Sequence, residues 1–201
     1  MKIRILLLST LLLAVPVSQA AIVYSGIQNI AVPLTLDGIY LNPFSGATSA
    51  AQPADWNTAP WINPFFSGVD IANDDLLRPV STGASQIVKL TVGTVVNGGS
   101  TFTAVRSGSS THVGAGAPQF QLGTTGYLGF AMQTTTGGPT FYGWMQMGIE
   151  NTIPGRIVDW AYESSAGTLI TVGAVPEPAT ALLTLTGAAL LALGRRRSRQ
   201  S

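Results

Sequence analysis

GYLGFAMQ (126–133) and RIVDWAYE (156–163) decide the fold class. In the first, Leu128, Phe130 and Met132 alternate with Tyr127, Gly129, Ala131 and Gln133. In the second, Val158, Trp160 and Tyr162 alternate with Ile157, Asp159, Ala161 and Glu163. Side chains of a strand point alternately to its two faces, so a period of two predicts strands. Between them, Thr140 to Ile149 places Phe141, Met145, Met147 and Ile149 on one side and Tyr142, Trp144 and Gln146 on the other. TTTGGP (134–139) and NTIPG (151–155) supply turn chemistry at the two joints. Leu128, Phe130, Met132, Val158, Trp160 and Tyr162 form the expected core face, and the acidic face of 156–163 is expected to meet solvent.

Working outward, shorter strand candidates are Gln86 to Val92, Val95-Val96, Thr101 to Val105, Gln119 to Leu122 and Thr168 to Val172, with two more in Ile27 to Leu41, split near Pro33. No segment carries a capped 3.6-residue period. Many short strands separated by turns predict an all-β chain with a single β-sandwich or jelly-roll-like domain over residues 21–174. Ala47 to Phe66 holds Pro53, Pro60 and Pro64 with Trp56, Trp61, Phe65 and Phe66. It reads as a long loop whose aromatics plug the sandwich.

Composition narrows the function classes. The chain has no cysteine, which excludes thiol nucleophiles, thiolate zinc sites and disulfides. Charged residues make up 9%, against about 25% in typical soluble proteins, so Ser, Thr, Asn, Gln and Gly must cover the surface. Residues 21–174 carry four cations (Arg78, Lys89, Arg106, Arg156) against eight acids (Asp37, Asp55, Asp70, Asp74, Asp75, Glu150, Asp159, Glu163), a net of −4. Such a domain offers no electrostatic footprint for nucleic acid.

Both ends differ from the middle. Met1 to Arg4 is basic, Ile5 to Val15 is apolar, and Ser18-Gln19-Ala20 places small residues ahead of Ala21. This is the pattern of a secretory signal peptide over residues 1–20, cut between Ala20 and Ala21. It implies passage through the Sec translocon and removal by signal peptidase. Residues 175–201 read VPEPATALLTLTGAALLALGRRRSRQS. Pro176 and Pro178 fix φ and remove two backbone donors, which favours an extended, unpaired peptide. Ala179 to Leu193 is uncharged for 15 residues. As a helix it would span roughly 22 Å, short of a hydrocarbon core of about 30 Å. Arg195, Arg196, Arg197 and Arg199 follow and would hold the end in the cytoplasm.

Pro176-Glu177-Pro178, the short apolar run and the cluster Arg195, Arg196, Arg197 resemble the PEP-CTERM sorting signal of exported bacterial proteins. The resemblance covers the tail, residues 175–201. It implies a precursor inserted in the membrane through a short C-terminal helix. It further implies cleavage near the Pro-Glu-Pro by an exosortase-type membrane protease, then delivery to the cell surface or extracellular polysaccharide matrix. The stretch Gly126 to Gly173, with Tyr142-Gly143-Trp144 and Asp159 to Glu163, is similar to the region that often precedes such tails, for which no activity is implied.

Candidate chemistry in the domain is sparse. Asp70, Asn73, Asp74 and Asp75 crowd oxygen ligands that suit Ca²⁺, but the spacing is not that of an EF-hand, and the plainer reading is a solvated acidic turn. His112 is the only histidine. No Gly-x-Ser-x-Gly elbow accompanies it, and a metal site would lack a second imidazole. Glu150, Asp159 and Glu163 could supply a glycosidase pair, yet Asp159 and Glu163 lie roughly 13 Å apart along one strand. Trp144 with Tyr142, or Trp56 with Trp61, could stack on sugar rings, against the plainer reading of core packing. The expectation is therefore a non-enzymatic exported protein with no cofactor. The alternative is a carbohydrate- or Ca²⁺-dependent binding module with the same destination.

Overall fold

The computed structural model describes residues 21–65, 68–71, 76–82, 87–103, 123–150 and 152–176, and twelve strands lie among these described residues. The described part is all-β, and its paired strands run antiparallel. The expected strands at its centre form a meander of β9 (Thr125–Gln133), β10 (Thr140–Gly148) and β11 (Gly155–Glu163). The 134–139 turn joins the first two. Gly137 sits at φ 75° and the Gly138 amide donates to the Thr135 carbonyl at 2.9 Å. Glycine adopts this left-handed conformation without the Cβ penalty.

Around the meander, β1 (Ile22–Tyr24) and β2 (Ile30–Val32) pair with opposite halves of β11, and β7 (Leu77–Pro79) pairs with β9. The six strands form one sheet. A second sheet orders β4 (Thr48–Ser49), β3 (Tyr40–Leu41), β5 (Ile62–Phe65) and β6 (Gly68–Ile71). A two-stranded ribbon joins β8 (Val95–Val96) to β12 (Ile170–Thr171).

The main core contains Leu128, Phe130, Met132, Met145, Met147 and Trp160 from the first sheet with Leu41, Ile62 and Val69 from the second. Each such side chain contributes about 1.5–3 kcal/mol through burial. The opposite face of the first sheet is covered too. There Ala131, Tyr142, Trp144 and Ala161 pack with Val96 and Ile170 of the ribbon and with Leu90 and Val172.

Three expectations are corrected. First, the acidic face of 156–163 does not meet solvent: Asp159 and Glu163 are buried, at 8% and 4% exposure. Second, Val158 is only half-buried, because strict alternation breaks there. Gln146 pairs with Asp159 and Met147 with Ile157, which leaves Val158 as the extra residue of a bulge. The bulge turns Ile157 to the side of Trp160, and both enter the main core. Third, Ala47 to Phe66 is not one long loop, since β4 and β5 lie within it. Pro64 fits β5 because its carbonyl, and so its missing N–H, faces Ile39 at the strand's other edge rather than β6. Trp56 and Trp61 do not join the main core but form a separate buried cluster with Tyr40. Tyr40 and Trp56 meet edge-on at 5.1 Å, and Trp61 Nε1 donates to Asp55 at 3.1 Å. Among the described residues no helix is long and apolar enough to cross a membrane.

Candidate functional site

Two places on the first sheet gather polar chemistry. The first is an open cleft of about 360 Å³ at the end where β10 turns into β11, lined by Asn29, Thr125, Glu150 and Arg156 over Ala31, Gly148 and Gly155. Gly155 is required there. A Cβ on it would lie 2.5 Å from the Gly148 carbonyl oxygen, so the two strands approach too closely for a side chain. Among the described residues Glu150 is the only carboxylate in the cleft lining.

The second lies on the ribbon-covered face of the sheet. Register puts Tyr24, Ala161, Trp144 and Gly129 in one row across β1, β11, β10 and β9, and Asp159, Gln146 and Tyr127 in the next. The Tyr24 hydroxyl donates to Asp159 Oδ2 at 2.7 Å. The Trp144 ring stands 6.1 Å from Tyr24 and 5.6 Å from Tyr127, edge-on to the latter. Trp144 is only 1% exposed, and its Nε1 donates to the Ala174 carbonyl at 3.2 Å. Oδ1 of Asp159 is buried without a hydrogen-bond partner. Burial first, then the bond to Asp159, pushes the Tyr24 phenol up to about 12. Tyr127 is raised by burial and then by the charge of Asp159. Both phenols thus stay protonated, and that of Tyr24 donates to Asp159.

The residues singled out in the sequence scatter. Glu150 lines the cleft, Asp159 is held by Tyr24, and Glu163 accepts the Ser165 amide at 3.0 Å. The three therefore do not form the facing carboxylate pair that glycoside hydrolysis needs. Tyr142, Trp144, Trp56 and Trp61 are all buried at 9% exposure or less, so neither pair is an open stacking platform. Asp70 lies in β6 opposite Asn63, while Asn73, Asp74 and Asp75 lie outside the described residues, as does His112. Among the described residues no three His, Cys, Asp or Glu side chains converge to hold a metal ion. Ala21 and Pro176 are exposed, whereas Ala20, Glu177, Pro178, Arg195, Arg196 and Arg197 lie outside the described residues.

Tyr24 and Tyr127 are the residues that sequence reasoning missed. Tyr127 was visible in the period of 126–133 but carried no partner until β11 was placed two strands away. No protein-family model, curated protein or solved structure matches the chain.

Proposed function

We propose that this is a non-enzymatic exported protein, sorted through a PEP-CTERM-type tail to the cell surface or the extracellular polysaccharide matrix. The observation that carries this reading is the order of the last 27 residues: Pro-Glu-Pro, a short uncharged run, then arginines. In this reading residues 21–174 are a β-sandwich or jelly-roll-like domain, preceded by a cleaved signal peptide and followed by a short membrane helix. Its partners are the Sec translocon, signal peptidase, an exosortase-type protease and matrix polysaccharide.

The packed body supports it at both margins. Ala21 is exposed and precedes β1 directly. At the other end Val172 is buried and Ala174 is tied to Trp144, whereas Val175 is 45% exposed and Pro176 is exposed. A protease working just before Ala21 or just after Pro176 would cut outside the core. A second reading, a binding module with the same destination, is favoured by the aromatic and carboxylate cluster at Asp159.

The arginines test the sorting reading. Replacing Arg195, Arg196, Arg197 and Arg199 by lysine should leave sorting nearly intact, because either cation resists crossing the membrane. Replacing all four by glutamine should let the short run slip through, so that unprocessed precursor accumulates in the medium or periplasm. Normal sorting of the glutamine variant would overturn the reading. Failure of the lysine variant alone would point to specific recognition of arginine by the protease.

A further inference from the structure

Asp159 presents an imbalance that its own fold does not correct. It is more than nine-tenths buried, it takes one hydrogen bond at Oδ2, and Oδ1 has none. No cation pairs with it among the described residues, and an uncompensated buried carboxylate is expensive. Aromatic rings gather around it: Tyr24 bonds the carboxylate, Tyr127 lies in the same cross-strand row beyond Gln146, and the Trp144 ring stands 6.1 Å from Tyr24 and 5.6 Å from Tyr127. The electron-rich faces of such rings attract cations.

We propose that Asp159, Tyr24, Tyr127 and Gln146 form a binding site for a protonated primary amine, carried by a deacetylated amino sugar of an extracellular polysaccharide. The choice of ligand follows from three constraints. The vacant acceptor is a carboxylate oxygen, so an anion is repelled and a donor is required. A Ca²⁺ ion takes six to eight oxygen ligands, and a single carboxylate flanked by a phenol and an amide is too poor a set for it. A primary ammonium brings three N–H donors and is slender enough to pass between side chains. Gln146 is the cross-strand neighbour of Asp159, it is half-buried, and its side chain makes no hydrogen bond among the described residues. In this proposal the Gln146 side chain, in register between Asp159 and Tyr127, moves aside to admit the amine to Oδ1, with Tyr24 and Tyr127 beside the sugar. Tyr24 keeps Oδ2 occupied, which aims the free oxygen at the incoming amine.

The polysaccharide source rests on the sorting reading, but the chemistry of the site does not. The test therefore uses the full chain purified in detergent, where processing plays no part. Titration with glucosamine oligosaccharide and with its fully N-acetylated counterpart is followed by tryptophan fluorescence and calorimetry. Saturable binding of the free amine is expected, with the acetylated sugar at least tenfold weaker. Asp159→Asn keeps the size and one acceptor while removing the charge, and should weaken amine binding at least tenfold. Thermal melting of Asp159→Asn itself reads out a folding defect. Tyr24→Phe is a second variant that keeps the carboxylate and loses its hydrogen bond. It should retain measurable binding and weaken amine binding less than Asp159→Asn does. Equal binding of both sugars, undiminished binding by Asp159→Asn, or no saturable binding would each overturn the site. Binding of a lysine peptide in preference to the amino sugar would overturn the polysaccharide assignment. None of these outcomes bears on whether the tail is cleaved.

Discussion

Trp160→Ala should lower the unfolding free energy by about 3–5 kcal/mol, the range of large-to-small core substitutions. The indole is 6% exposed and sits in the core shared by the two larger sheets. It also carries polar ties between distant segments. Its Nε1 donates to the Pro43 carbonyl at 3.0 Å in a buried contact, and its backbone amide donates to the Ser25 Oγ at 2.9 Å. Trp160→Ala leaves a cavity and orphans the Pro43 carbonyl together. Trp160→Phe retains much of the apolar volume and isolates the second loss, about 1–3 kcal/mol for an unsatisfied buried group. Urea denaturation of both variants separates volume from hydrogen bond. A loss below about 1 kcal/mol for Trp160→Ala would mean that the indole does not join the sheets.

Gly143→Ala should destabilise by about 1–3 kcal/mol or more, through overpacking rather than a cavity. Gly143 lies mid-strand in β10, opposite Phe130 on one side and Tyr162 on the other. A Cβ there would sit 2.3 Å from Phe130 Cζ and 2.7 Å from the Ala161 carbonyl oxygen. The ring is fully buried and the carbonyl belongs to the neighbouring strand, so neither can withdraw without repacking the sheet. Thermal melting of the variant reads the effect. Unchanged stability would contradict the close packing of Phe130 over β10.

These two residues also show how far the fold was legible. The meander was readable because nine-residue strands give several turns of a period of two, and Gly-Gly-Pro and Pro-Gly mark their ends. Very short strands such as β1, β6 and β7 carry too few residues for a period, and their pairing is fixed by partners far along the chain. The bulge at Val158 was hidden for a related reason. It changes which residues share a face without changing their composition, and only the register against Gln146 and Met147 exposes it. Sequence alone points the acids of 156–163 to solvent, because an ionised group left unpaired is costly to bury. Here a second layer, the β8–β12 ribbon, covers part of that face, and the Tyr24 hydroxyl and the Ser165 amide stand in for water at Asp159 and Glu163. The candidate site at Asp159 was legible only as a lone carboxylate. Its aromatic neighbours come from β1, β9 and β10, so no local spacing could announce them.

The exported, processed state is the central claim, and the intact mass of the protein extracted from the surface of a host bearing an exosortase tests it most directly. The account predicts a mature chain that begins at Ala21 and lacks Ala179 to Ser201. A surface form that still carries the tail from Arg195 to Arg199 would contradict it.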